Sequence, residues 1–276
     1  MVEVEVIAIG NELLLGDVLD TNSNWVCQRV TGLGGRVRRV VMVGDDLKAI
    51  AIELQDALER KSDLIITTGG LGPTADDITL KAVAEATNHP LGVNLEALKM
   101  VKRRYEELAQ EGYVADSTLT PSRRKMAHLP QGATPVFNPV GTAPACTLRV
   151  EDTMLISLPG VPEELIGIWE GPLQPLLREI FGEGYYQEKM VFVDCKDESL
   201  LAPILKKITG AHPQVYIKSR AKKFGPEVKI KVTLSSTGRD RDQVEAAINE
   251  ALKDLTRSLG SSGLAVKMIE ELQEEG

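Results

Sequence analysis

"DLIITTGGLGPTADDITLKAVAEA", residues 63–86, decides how this chain is read. A short apolar run rich in β-branched residues, Leu64 to Thr68, ends at Gly69 and Gly70, with Gly72 and Pro73 close behind. Apolar residues then return at helical spacing at Ile78, Leu80 and Val83. A strand that leaves through a glycine-rich turn into a helix is one βα unit. Asp76 and Asp77 stand where the turn becomes the helix. Glycines there serve a plain turn equally well as a backbone that a phosphate oxygen approaches closely.

The same pattern recurs on the N-terminal side. "EVEVIAIG" is a strand ending at Gly10, followed by a loop or short helix over residues 11–21 and by helical spacing in "NSNWVCQRVTGLG". "RVRRVVMVG" is a second strand, and "DDLKAIAIELQDALER" an amphipathic helix opened by acids. Strand and helix alternating three times predict βαβ units and a mainly parallel sheet covered on both faces, an α/β fold. A helix follows over residues 95–110, then a loop-rich stretch from Val114 to Thr147. Two short strands, "CTLRV" and "MLISL", precede a helix starting in "PGVPEELIGIWEGPLQPLLREIF", with Pro162 suited to its first turn and Glu163 and Glu164 to its positive end. Gly182 to Gly184 mark the expected boundary between a domain over residues 1–182 and a small α+β domain over 183–276. The second reads strand, helix, strand, strand, helix, and the terminal "EELQEEG" is expected to fray.

Composition narrows the function. The chain has 276 residues, a net charge of −8 and few aromatics. A net negative charge argues against a general nucleic-acid binder, whose affinity rests on Lys and Arg neutralising phosphates. The apolar runs are too short to span a bilayer and the N-terminus lacks a basic leader, so no membrane association and a cytoplasmic location are expected. Cys27, Cys146 and Cys195 show neither disulfide nor zinc spacing, and His89, His128 and His212 are equally scattered.

Three acid-bearing segments follow the three strands: "GNELLLGDVLDTNS" with Glu12 and Asp20, "GDD" with Asp45 and Asp46, and "TGGLGPTADD" with Asp76 and Asp77. Ligands of open α/β sheets bind beyond the carboxyl ends of strands. Clustered carboxylates repel a phosphate unless a divalent cation lies between them, and their hard oxygens suit Mg²⁺ or Mn²⁺. The plainer alternative is that Thr74 and Asp77 form a capping box and that Asp45 and Asp46 cap the following helix. Neither a P-loop nor the G-x-G-x-x-G dinucleotide fingerprint is present.

Taken together, "IGNELLLGDVLDTNS", "VGDD", "TTGGLGPTADDIT", "NPVGTAPA" and "LPGVPEE" resemble, in order and spacing, the motifs of the competence- and damage-inducible CinA family. The resemblance spans roughly Val4 to Phe181 and implies a three-layer αβα molybdopterin-binding-like domain. With weaker motifs, the small domain resembles that family's KH-like domain, although the G-X-X-G loop of RNA-binding KH domains is missing. Its locally basic Lys218, Arg220, Lys222 and Lys223 are read as a solvated hairpin, and its expected role is dimerisation or closure over substrate. The family resemblance implies a pyrophosphatase that cleaves ADP-ribose to AMP and ribose 5-phosphate with a divalent ion (Mg²⁺, Mn²⁺ or Co²⁺), leaves a role for K⁺ open, and implies a homodimer. Relatives hydrolyse FAD or adenylylate molybdopterin, and a non-catalytic nucleotide sensor is a further alternative. Residues matching the family motifs are Gly10, Glu12, Asp20 and Asp45, then Thr68, Gly69, Gly70, Gly72, Pro73, Asp76 and Asp77, with Asn11 and Thr74 also expected among the substrate contacts. Asn138, Gly141, Thr142 and Pro144 match the fourth motif, and Pro159, Gly160, Pro162 and Glu163 the fifth. Asp45, Asp76 and Asp77 are the expected metal ligands, with Glu12 assisting catalysis and the Gly69–Thr74 backbone and Thr142 holding phosphate. Asn11 replaces the family's more usual Thr or Ser, and Ala145-Cys146 its Gly plus aromatic. The chain stops near where longer members begin a nicotinamide mononucleotide deamidase domain, so that activity is not expected.

Overall fold

The computed structural model describes residues 1–182, 184–195, 197–221, 229–238 and 240–269. Lys222, Lys223 and the terminal "EELQEEG" therefore lie outside the described residues. The chain divides into two compact units, residues 1–30 with 35–182 and residues 31–34 with 183–276.

The first unit runs β1 (Glu3–Ile9), α1 (Asn11–Leu15), α2 (Thr21–Gly32), β2 (Arg36–Val43), α3 (Leu47–Glu59), β3 (Leu64–Thr68), α4 (Thr79–Ala86), β4 (Leu91–Val93) and α5 (Leu95–Gln110). It continues with α6 (Pro121–Lys125), β5 (His128–Pro130), β6 (Thr134–Val136), β7 (Ala145–Val150), β8 (Thr153–Leu158), α7 (Pro162–Glu170) and α8 (Gln174–Phe181). Six strands form one sheet in the order β2-β1-β3-β8-β7-β6. β2, β1, β3 and β8 are mutually parallel, while β7 runs antiparallel to both β8 and β6. β4 and β5 form a separate antiparallel pair.

β3 and β8 are buried at every position, as expected for strands covered on both faces. Ile7, Ile9, Ile65 and Leu155 pack with Ile50 and Leu54 of α3, Val83 of α4 and Val101 of α5. The intervening Val6, Ala8, Ile66 and Ile156 point the other way and are equally buried. On that side α2 and α7 meet through the edge-to-face pair Trp25–Trp169, with ring centroids 5.7 Å apart. The layers are therefore helix, sheet, helix. α3 and α5 begin where the sequence provides caps: Asp46 accepts from Ala49 N, and Asn94 from Glu96 N and Ala97 N.

Several details differ from the sequence expectation. The stretch from Val114 to Thr147 is not uniformly loop. Thr120 caps α6 with Pro121 in its first turn, a start signal in "TPSRRK". β5 and β6 are three residues each, too short to announce themselves by alternation, and Pro135 sits in β6 at the sheet edge, where proline is tolerated. The segment from Pro162 onward forms two helices, because Gly171 and Pro172 interrupt it and the Gln174 side chain donates to the Trp169 carbonyl.

The second unit contains β9 (Tyr185–Asp194), α9 (Ala202–Ala211), β10 (Tyr216–Ala221), β11 (Lys229–Gly238), α10 (Arg241–Ser261) and β12 (Ala265–Ile269). Its sheet, in the order β10-β11-β9-β12, is antiparallel throughout. β12 extends the expected strand-helix-strand-strand-helix order, and Val266 packs on the unit's own core with Val191, Val193, Ile208, Ile248 and Leu255.

Candidate functional site

The ends of β1 and β2 are stitched together just before the chain turns away from the sheet. Gly10 N donates to Val43 O at 3.0 Å. Asn11 N donates to Asp45 Oδ2 at 2.9 Å, and Asp45 N returns a bond to Asn11 Oδ1 at 3.1 Å. The amide at position 11 is thus engaged with Asp45, which leaves Asp46 as the cap of α3. α1 buries none of its residues, and Glu12 is exposed on it.

Behind α1, Asp20 Oδ1 accepts from Ser23 N at 2.9 Å, the bond of a helix cap. The buried Asn22 amide donates to Gly160 O at 2.8 Å. Gly69 N donates to Leu158 O at 3.0 Å, and the Gly160 position packs directly on the Gly69 Cα. Segments from the β1, β3 and β8 ends, far apart in sequence, thereby meet. Pro159 and Thr68 are buried in this junction.

Gly69 has φ +102° and Gly70 φ +68°, both in the region that favours glycine. A Cβ at Gly69 would collide with the carbonyl oxygen of Ile9, a backbone atom that cannot turn aside. A Cβ at Gly70 would meet the Thr79 hydroxyl, which donates to Gly69 O at 2.8 Å while Thr79 N donates to Gly70 O at 3.2 Å. The loop is closed at its base by this threonine, and α4 begins there, after the acids rather than at them. α4 has no side-chain cap at its N-terminus.

Between the glycines and α4, residues 74–77 form a turn of their own. Thr74 N donates to Asp77 Oδ2 at 2.8 Å, and the Thr74 hydroxyl donates to Asp77 Oδ2 at 2.6 Å and also to Asp76 Oδ1. The Thr74 bond holds the Asp76 carboxyl below its usual range. Gly70, Gly72, Asp77, Lys81, Lys125 and His128 line a cavity of about 50 Å³. Such a volume accommodates a group rather than a whole ligand, since small-molecule sites span about 300–1,000 Å³. A larger cleft of about 290 Å³ at the β4–β5 pair carries no charged side chain and suits an anionic ligand poorly.

Lys125 was absent from the sequence-derived set. It stands at the end of α6, and its Nζ donates to Thr74 O. Burial lowers its pKa, while Asp77 and Asp76 oppose the shift. The only local signal was the basic "RRK", which says nothing of the distant loop it reaches.

The fourth segment forms a compact polar knot beside α7. Asn138 Oδ1 accepts from Val140 N and Gly141 N, and its amide donates to Ala143 O at 2.9 Å and Glu164 Oε2 at 2.7 Å. Gly141 is packed so tightly on the Glu164 carboxylate that a Cβ has no room. Arg104 of α5 clamps the Gly141 and Val140 carbonyls at 3.1 and 2.7 Å. Burial pushes the Glu164 carboxyl up against the opposing pull of Asn138 and Arg104. The polar contacts here belong to Glu164, whereas Glu163 is exposed, a choice between neighbours that spacing could not make. The Thr142 hydroxyl lies 3.7 Å from Met126 Sδ, next to Lys125.

Residues 5–179 match the family described as "Probable molybdopterin binding domain". The chain belongs to this family. Among its relatives, a Pyrobaculum arsenaticum protein is 41% identical over 257 residues, 92% of this chain and 94% of its own. Protein PH0439 of Pyrococcus horikoshii is 40% identical over 230 residues, 83% of this chain and 88% of its own. The crystal structure of CinA from Thermoplasma acidophilum, a protein of unknown function, superposes with a TM-score of 0.57 at 37% identity, covering 63% of this chain and 98% of that one.

Molybdopterin and nucleotide ligands carry phosphate, and a divalent ion accompanying such a ligand takes one or two carboxylates together with phosphate oxygens. Asp76 and Asp77, adjacent on one turn and bordered by the Thr74 carbonyl, supply a hard oxygen set that fits this sharing. Among the described residues no three carboxylate, imidazole or thiolate groups converge as a self-sufficient cage. Asp45 is held instead in its reciprocal pair with Asn11. Among the described residues, no helix is long and apolar enough to cross a membrane.

Proposed function

We propose that the first unit is a metal-dependent nucleotide pyrophosphatase, with hydrolysis of ADP-ribose to AMP and ribose 5-phosphate as its favoured reaction. The observation that carries this reading is the Thr74–Asp77 turn, in which two carboxylates stand beside a glycine loop at the end of the central strand and next to an ammonium group. Backbone N–H groups of the loop bind phosphate oxygens, and the α4 N-terminus favours their charge. Asp76 and Asp77 hold Mg²⁺, Mn²⁺ or Co²⁺, which supplies polarisation of a phosphoryl oxygen and of a water. Water adds to one phosphorus of the P–O–P bridge, the bridging bond at that phosphorus breaks, and the departing phosphomonoester leaves as an anion. Glu12, exposed on α1, is available to take the water proton. Asn138, Gly141 and Glu164 hold the segment carrying Thr142, while Asp20 caps at Ser23 and Asn22 ties to Gly160. A homodimer, with the second unit as a KH-like module, completes the proposal.

A second reading is favoured by the family match: the same loop binds a molybdopterin phosphate, with nucleotidyl transfer or binding alone as its outcome. The discriminating experiment is turnover of ADP-ribose, FAD, NAD and ATP with each metal, products separated by chromatography. Asp76→Asn and Asp77→Asn serve as controls. Metal-dependent AMP and ribose 5-phosphate, lost by about a hundredfold or more in the two variants, support the pyrophosphatase. Ligand binding without cleavage of any of the four turns the assignment to molybdopterin chemistry or sensing.

A further inference from the structure

We propose that Lys125 is the resident counter-ion of the Thr74–Asp77 turn and that it competes with the divalent ion for that turn. The inference rests on the metal-site reading above and adds a residue that neither the motifs nor the family description assigns.

Three observations carry it. The Thr74 carbonyl, which borders the two carboxylates and would complete a hard oxygen set with them, accepts from the Lys125 ammonium. Asp76 and Asp77 are two adjacent negative charges whose oxygens receive only neutral donors from the turn itself, the Thr74 hydroxyl and amide. Lys125, half-buried, also lines the cavity that Asp77, Gly70 and Gly72 line, so the ammonium group and the acidic turn border the same space.

The charge logic follows. Two neighbouring carboxylates on one largely exposed turn repel one another, and the mutual cost falls when a cation is nearby. Lys125 supplies that cation in the metal-free protein through a flexible four-carbon stem anchored on a five-residue helix. A divalent ion places twice the charge at the same oxygens and expels the ammonium by like-charge repulsion. The freed ammonium remains beside Gly70 and Gly72, where an incoming phosphate binds. The device keeps the acidic loop folded without metal, and it weakens metal binding until a phosphate is present to accept the displaced lysine.

The test uses the full-length chain and Mn²⁺ alone, with free Mn²⁺ read by electron paramagnetic resonance. Lys125→Met is expected to bind Mn²⁺ about tenfold more tightly than the native protein, because the competing charge is gone. Lys125→Arg, which keeps the charge, stays near the native affinity, and circular dichroism establishes that both variants are folded. Lys125→Gln provides a second neutral variant and is expected to follow Lys125→Met. Unchanged or weaker Mn²⁺ binding in the folded neutral variants overturns the proposal. The double variant Asp76→Asn/Asp77→Asn separates the two levels. If it abolishes Mn²⁺ binding while Lys125→Met changes nothing, the competition fails and the metal site stands. If it binds Mn²⁺ as the native protein does, the metal site fails and the competition with it.

Discussion

Glu5 shows how much a single side chain can depend on its neighbours. It sits on β1 almost completely buried, where burial by itself pushes the carboxyl up. The bidentate Arg60 guanidinium and the Ser62 hydroxyl, at 2.7–3.1 Å, outweigh that and hold the pKa below the usual carboxylate range. A depressed folded pKa contributes stability that is present above the unfolded value, about 4.3, and is lost as pH falls through the folded one. Arg60→Met should therefore cost about 3 kcal/mol at neutral pH, because it strands a buried charge. The cost should shrink towards pH 3, and urea unfolding at the two pH values measures both figures. At this scale the sequence was informative about type and poor about partners. The S/T-x-x-D spacing of Thr74 and Asp77 suggested a capping box, whereas α4 begins at Thr79 without a side-chain cap and the two residues close a turn of their own. That Asp45 pairs with Asn11 was not legible, because the bond joins two strand ends 34 residues apart.

Elements were legible where their periodicity ran long. The buried strands β1, β3 and β8, and the helices α3 and α5 with capping residues at their starts, follow from alternation and from 3.6-residue spacing. Short elements such as β5 and β6 are fixed by pairing and packing rather than by their own residues, so their pattern carried little signal. Two predictions belong here. Gly69→Ala should destabilise the protein by at least about 3 kcal/mol, since it combines a positive φ with a clash against the β1 backbone, and thermal unfolding reads the loss. Thr67 and Ser157 are register partners on β3 and β8, and both hydroxyls are buried without a hydrogen-bond partner among the described residues. Thr67→Val keeps the shape and removes an unsatisfied group. It should be neutral or stabilise by about 1 kcal/mol, and a lower denaturation midpoint would show that the hydroxyl has a partner after all.

Among the described residues, one apolar core lies on one face of the six-stranded sheet and another within the four-stranded sheet and its helices. Each core is closed by residues of its own unit, so a fragment of residues 1–182 is expected to fold cooperatively. If the metal site is confined to it, the fragment should bind Mn²⁺ with the affinity of the full chain. Calorimetry of the fragment checks the first expectation and Mn²⁺ titration the second. A fragment that does not melt cooperatively would mean that the second unit supplies part of the first unit's stability.

Hydrophobic periodicity and glycine placement are local properties, and by themselves they determined the α/β class, the parallel strands and the position of the glycine loop at a strand end. Those follow because each element must bury one face and each sharp turn needs a particular backbone conformation. Tertiary structure alone decided which polar groups meet. It set Glu164 rather than Glu163 against Asn138, joined Asn22 to Gly160, and carried Lys125 from a loop-rich stretch to the carbonyl of Thr74. Hydrogen bonds and charges act over a few ångströms in space, and a sequence records distance only along the chain.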